Sequence, residues 1–417
     1  MGGHPPNPLA KRVAPSLHLP ARAPLCPFTT FRCIALIQGP GEVVHPARLY
    51  TAVEVSPDRA PLELSVSSFP ESPLAFGMFD WVETNTQAPA DVFEHKLRLA
   101  EIADRGGIWG WHIAEHQGSP LSMASSPSLL LAAAAQRTTN LRMGALTWCL
   151  PWYNPYRLYN EICMLDQLTR GRLEFGVGRG VSPYEARIFG MENVDESRDR
   201  YREMLDLLLA AFQSNTLTHH GKHYDYQDVD LYNHPYQRPY PPLWFPSSNK
   251  SSVTFTAEHG YHTCFNFGSA EEQRELCEQY REVWVHHKDD PGRHNAHVAA
   301  PKLGTSNHVL VAPTDAEAHD LFEASIEVWA GHQGHLRKKL GPYSPEDSAQ
   351  RAARTPRATF DGSPATVAQK LVEFVKASSV NYLLLTFSFG DLSFAAAERS
   401  LQMFCDEVMP LVRKGVA

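Results

Sequence analysis

The sequence predicts a parallel β-sheet closed as a (β/α)8 barrel with insertions, preceded by a proline-rich N-terminal extension. Three observations lead there. Short apolar runs alternate with amphipathic helical stretches eight times from Leu74 onward. Polar and glycine-rich residues collect where the runs end. No GxGxxG follows the first run, which counts against an open dinucleotide-binding sheet.

Leu74 to Phe79 reads as the first strand and Ala90 to Asp104 as its helix, with Phe93, Leu97, Ala100 and Ala103 on one face. Ile108 to Ala114 and Ser128 to Gln136 form the second pair. Leu141 to Trp148 and Pro155 to Leu168 form the third, in which Leu158, Ile162 and Leu165 face inward. The fourth strand, Leu173 to Val177, follows the breaker Thr169-Arg170-Gly171 and leads to the helix Ser197 to Phe212, whose Tyr201, Leu205, Leu208 and Phe212 share a face. Gln213 to Pro242, rich in His, Tyr and Pro, reads as an insertion. Leu243 to Phe245, His262 to Phe267, Ser306 to Val311 and Val380 to Thr386 supply four more strands, with helices starting near Ser252, Ala270, Asp315 and Pro364. A last helix, Phe394 to Val412, carries Ala397, Leu401, Phe404, Val408 and Leu411 on one face. This region exceeds the roughly 250 residues of a bare barrel. The excess accommodates the insertion and the polar segment Ala330 to Pro356, both placed to cover the barrel mouth as lids.

Residues 1–73 stand apart. They are rich in proline, carry Lys11, Arg12, Arg22 and Arg32 but no acidic residue before Glu42, and lack helix or strand periodicity. The expectation is a disordered extension. Its prolines and the missing continuous apolar run favour an over-long start without function over a targeting peptide.

The 417 residues carry a formal net charge of -8, so no global field draws the chain to nucleic acid or anionic membrane. No apolar run approaches the roughly 18 residues of a membrane span. The seven cysteines include no CxxC pair, which argues against a disulfide framework or structural zinc and for a cytoplasmic protein. Histidines such as His219, His286 and His294 fall in polar segments and read as solvated.

In a barrel of this kind, chemistry sits where strands end. Gly178-Arg179-Gly180 places a guanidinium between two glycines, suited to a phosphate. Ser247 to Ser252 opens a helix, where unsatisfied backbone N–H groups favour an anion; plain capping explains the serines equally well. His112-Ile113-Ala114-Glu115-His116 spells H-x-x-E-H, a zinc-hydrolase pattern on a helix. Its flanks read as a strand running into a loop, where Glu115 would point away from both histidines.

The chain resembles the bacterial luciferase-like family of flavin-dependent monooxygenases over essentially all of residues 74–417. The resemblance rests on FGMFDW (Phe76 to Trp81), AEH (Ala114 to His116), NLRMGALTWCLPWYNPYRL (Asn140 to Leu158), MLDQLTRGRLEFGVGRG, ESRDRYREML (Glu196 to Leu205), PPLWFPSSNKSS and AEHGY, in that order. It implies a (β/α)8 (TIM) barrel, reduced FMN supplied by a separate flavin reductase, dioxygen as co-substrate, a small organic substrate, no metal and a homodimer.

Residue by residue, the resemblance assigns the FMN phosphate to Arg179 and Arg198, with Ser248, Asn249 and Ser252 as donors. Ser248 stands in place of Glu and Asn249 in place of Ser. Leu146 and Thr147 match a non-prolyl cis peptide beside the flavin ring. His116 matches the active-site histidine and Glu115 the carboxylate beside it, whereas Gln117 replaces a second histidine. Gly178 stands where luciferase has a reactive cysteine. Imidazole is the side chain best suited to proton transfer near neutral pH, the role the resemblance implies for His116. Trp81, Trp148, Trp152 and Tyr153 are expected as apolar walls. Three alternatives remain: a deazaflavin-dependent hydride-transfer enzyme on the same fold, a flavin-binding protein without turnover, and the zinc hydrolase.

Overall fold

The computed structural model describes residues 69–180, 183–191, 194–247, 250–265, 268–339 and 359–417. Expectations about residues 1–68, about Ser248 and Asn249, and about the segment 340–358 lie outside these.

Eight parallel strands form the ring: β1 (Ala75–Asp80), β2 (Gly110–Ile113), β3 (Arg142–Ala145), β5 (Phe175–Gly178), β8 (Leu243–Ser247), β9 (His262–Phe265), β10 (Leu303–Val311) and β12 (Tyr382–Thr386). The short β4 (Trp148–Cys149) continues the line of β3 and pairs with β5. A bridge from Met143 to Leu173 completes the closure. β12 lies between β10 and β1, pairing Tyr382 with both Gly304 and Ala75. The strands are buried almost throughout, as expected of parallel strands covered on both faces. Glycines make the β3–β5 seam: a Cβ on Gly144 would collide with the Glu174 carbonyl, and one on Gly176 with the Ala145 carbonyl.

The helices follow their apolar stripes. α1 (Pro89–Gly106) starts with Pro at its first turn and ends on the left-handed Gly107, φ 77°, burying Leu97, Ala100 and Ala103. α2 is Pro127–Ala135 and α3 is Pro155–Thr169; in α3 Asn154 caps the Arg157 N–H, and Leu158, Ile162 and Leu165 are buried. α5 (Val194–Ala211) buries Tyr201, Leu205 and Leu208.

The structure departs from the expected elements at several points. The expected third strand is two pieces, broken at the cis peptide Leu146–Thr147. A short helix, α4 (Pro183–Ile188), precedes α5. The insertion contains an antiparallel hairpin, β6 (Thr216–His220) with β7 (Asp225–Asp230). An unforeseen β11 (Phe360–Gly362) pairs with β10. In the C-terminal helix a π turn at Phe404–Val408 adds a residue to the period, so Val412 is buried while Leu411 is 47% exposed. His294 is not simply solvated: it stacks on His259 at 3.9 Å and bonds the Tyr261 hydroxyl at 2.8 Å.

Candidate active site

Glu115 and His116 follow the C-terminal end of β2, and Arg179 follows that of β5. β2 runs out through Ala114, whose N–H donates to the Asp80 carbonyl at 2.9 Å, and delivers Glu115 and His116 to adjacent but different surroundings. Glu115 is buried. It accepts from the Cys149 N–H (2.7 Å), the Tyr153 hydroxyl (2.7 Å) and the Gln117 amide (3.4 Å). Burial pushes its pKa up to about 8 against the pull of those bonds. Its oxygens are thus engaged in tying the end of β2 to the turn after β4.

His116 is placed otherwise. Its Nδ1 lies 3.0 Å from Glu185 Oε1, and its ring stacks on Trp81 at 5.5 Å and 18°. The same Oε1 accepts the Gln117 N–H at 2.7 Å, so it acts as acceptor and Nδ1 as donor. That tautomer leaves Nε2 as the proton acceptor. Glu185 sits on α4, an element absent from the sequence reading. A carboxylate 69 positions from its partner leaves no local pattern to find.

The mouth has an aromatic side. Trp81 lies 6.2 Å from Trp329, on α8 (Asp315–Lys339), and Trp329 packs edge-on against His308 at 4.4 Å. Glu83 fastens this side: it accepts from His332 of α8 at 2.7 Å and from the Gly390 N–H at 3.2 Å. Of the expected walls, Trp81 and Tyr153 line this region and Trp152 stacks on Phe189 at 5.2 Å. Trp148 does not: it is fully buried in the core against Phe175, its indole N–H donating to Ser128 Oγ at 3.2 Å.

The side expected to take an anion lies at the end of β5. Arg179 is half-buried, and the Ser197 hydroxyl on α5 donates to its carbonyl at 3.1 Å. Burial and then the neighbouring Arg198 guanidinium depress the Arg179 pKa. Arg198 itself is exposed and pairs with the exposed Asp195 at 2.9 Å. Among the described residues, Arg179 has no carboxylate at ion-pair distance. Two neighbouring guanidinia that share the countercharge of Asp195 keep a net positive charge, which fits a phosphate dianion. β8 is the next strand, and Ser252 is half-buried in the first turn of α6 (Lys250–Glu258). On the other side, a Cβ at Gly178 would collide with Thr147 Oγ1 beside the cis peptide. Only glycine fits without moving Thr147.

His112 lies within β2, fully buried, so H-x-x-E-H is not on a helix. Among the described residues no cluster of three or more His, Cys, Asp or Glu could hold a metal ion.

The luciferase-like monooxygenase family matches residues 74–380, and the chain belongs to this family. It is 32% identical over 343 residues, 82% of this chain and 98% of the other, to the uncharacterized protein y4wF of Sinorhizobium fredii. It is 24% identical over 359 residues to the oxygenase component of a flavin-dependent trigonelline monooxygenase from Acinetobacter baylyi, covering 81% of this chain and 95% of that one. The oxygenating constituent of 3,6-diketocamphane monooxygenase from Pseudomonas putida, solved in complex with FMN, superposes with TM-score 0.65 at 22% identity, over 81% of this chain and 98% of that one.

Proposed function

We propose that the protein is the oxygenase component of a two-component monooxygenase, acting on a small organic substrate with dioxygen and with reduced FMN delivered by a separate reductase. The observation that carries this reading is the pairing of Arg179 with Arg198 beside the side-chain-free Gly178 and Gly180. When bound, reduced FMN supplies the electrons with which one oxygen atom enters the substrate and the other leaves as water. Arg179 and Arg198 hold the phosphate, and Ser248, Asn249 and Ser252 add donors. The Leu146–Thr147 peptide and Gly178 form a flat floor for the ring. His116 accepts or returns a proton at Nε2, with Glu185 fixing the ring and carrying the countercharge. Trp81, Trp329 and Tyr153 restrict water at the mouth.

Two further assignments belong to this reading. Leu129 of α2 is 76% exposed, and Met164 and Leu168 of α3 are 54% and 44% exposed, a face suited to a homodimer. Among the described residues no helix is long and apolar enough to cross a membrane; the buried free thiols of Cys149, Cys163, Cys264, Cys277 and Cys405 support a reducing cytoplasm.

Titration of the purified protein with reduced FMN, oxidised FMN and a deazaflavin, with metal analysis alongside, tests the reading. Tight binding of reduced FMN with reductase-dependent oxygen uptake supports it. Preference for the deazaflavin, flavin binding without oxygen uptake under any substrate, or stoichiometric zinc each points to another function.

A further inference from the structure

At the barrel end opposite the candidate active site, residues at the starts of the strands line an open, solvent-facing cavity of about 400 Å³. Trp109 precedes β2, Arg142 opens β3, Glu174 precedes β5, His262 opens β9 and Lys302 precedes β10, while Arg238 stands at the rim. Polar groups at this end of a barrel ordinarily serve stability, and one pair here does so. Glu174 accepts from Arg142 Nε and from the Trp244 indole N–H, and Arg142 spends its other N–H groups on the Gly171 and Leu173 carbonyls and on Gln237 Oε1 (3.2, 3.4 and 2.9 Å).

Lys302 and His262 are not accounted for in that way. Among the described residues Lys302 Nζ has no hydrogen bond and no ion pair; it rests 4.3 Å from the centre of the Trp109 ring. Cation–π contact offsets part of the cost of its partial burial and leaves its three N–H donors to solvent or a ligand. The imidazole of His262 accepts the Lys302 backbone N–H at Nδ1, 2.8 Å, so its proton sits on Nε2. No partner for that N–H occurs among the described residues. Burial and the Lys302 and Arg142 charges keep this imidazole neutral, well below its ordinary pKa. The lining carries Arg142, Arg238 and Lys302 against the single carboxylate of Glu174, which is already engaged.

We propose that this cavity is a second binding site, for a small organic anion whose carboxylate or phosphate group is held by Lys302 Nζ and His262 Nε2–H. Arg238 steers the anion at the rim, and the largely apolar segment 298–300 faces its carbon body. Charge and donor supply select the anion, and the volume suits a single-ring or short-chain acid. The site is independent of the flavin reading, because it shares no residue with the C-terminal mouth.

Calorimetric titration of the full chain with benzoate and with phenyl phosphate tests this. Saturable binding of either is expected, with preference between them separating carboxylic acids from phosphate esters. Lys302→Met, which keeps the stem over Trp109, should weaken binding at least about tenfold, whereas saturating FMN, which fills the Arg179 side, should leave benzoate binding unchanged. Should Lys302→Met lose its cooperative unfolding transition, Ala299→Trp, at an exposed position of the wall, tests the same point by filling the cavity. No saturable binding up to about 10 mM, binding unaffected by both wall variants, or benzoate displaced by FMN would overturn the proposal.

Discussion

His116 and Glu185 are joined at 3.0 Å between Nδ1 and Oε1, across elements that the chain separates by 69 residues. The bond orients the imidazole over Trp81 and decides which nitrogen faces the mouth. His116→Ala should therefore cut turnover by roughly 10²–10⁴, the usual share of acid–base catalysis. FMN affinity should change little, since the phosphate contacts lie on other strands. His116→Asn should be slow as well, because it bonds but does not titrate. Loss of flavin in the Ala variant would make His116 a binding residue instead.

Glu185→Gln separates the orienting bond from the countercharge. It can still accept the Gln117 N–H and hold the ring, yet it does not stabilise an imidazolium. Turnover should fall about tenfold or more, with flavin affinity and melting temperature near wild type. An unchanged pH–rate profile would show that the carboxylate only packs.

Arg179→Ala should weaken FMN by about 1.5–3 kcal/mol, the range for hydrogen bonds to charged groups. Riboflavin, lacking the phosphate, should be weakened far less. Equal losses in fluorescence titrations of the two would remove Arg179 from the phosphate site.

Glu115 makes stability depend on pH. Its folded pKa is raised from 4.5 to about 8, so the folded state holds a proton that the unfolded chain has released. The contribution is complete below about pH 4.5 and is lost as pH rises through about 8. Glu115→Gln, which mimics the protonated form, should flatten the fall in melting temperature across that window. A wild-type melting curve no steeper than the variant's would contradict the burial argument.

Gly178→Cys restores the residue of the luciferase pattern but drives a side chain into Thr147, at a typical overpacking cost of about 1–3 kcal/mol. Chemical denaturation should show that loss, and Thr147→Ala in the same chain should recover part of it. A fully stable single variant would mean that Thr147 turns aside freely.

Phe69 belongs to the barrel core. It is buried against Trp284 at 5.2 Å and Tyr280 at 6.2 Å, and Ser72 accepts from the Asn381 amide at 3.1 Å. Removing residues 1–68 should leave melting temperature and flavin affinity nearly unchanged. Removing 1–73 should cost about 3 kcal/mol, the size of a lost buried aromatic. A large loss on the shorter deletion would overturn the division of the chain near residue 70.

What could be read from the sequence was local. The stripe of α1, the breaker that ends α3 at Arg170-Gly171 and the turn around Arg179 are set by residues within a few positions of one another. So is the arrival of His116 at the end of β2. What could not be read depended on distant partners or a change of period. His332 reaches Glu83 across 249 positions. The bonds of Glu115 to Cys149 and Tyr153 likewise join positions more than thirty apart. The π turn at Phe404–Val408 shifts the phase that a fixed 3.6-residue repeat assumes, and so moves burial from Leu411 to Val412.

The position of β12 between β10 and β1 bears on how the chain is made. Until Tyr382–Thr386 emerges from the ribosome, β1 and β10 each present an unpaired parallel edge, the arrangement most open to pairing with another chain. The join links segments some three hundred positions apart, so it carries a large loop-closure entropy and forms late. A nascent chain stalled after β10 is therefore a seven-stranded open sheet, and rapid synthesis of the final stretch shortens the time during which those edges are bare.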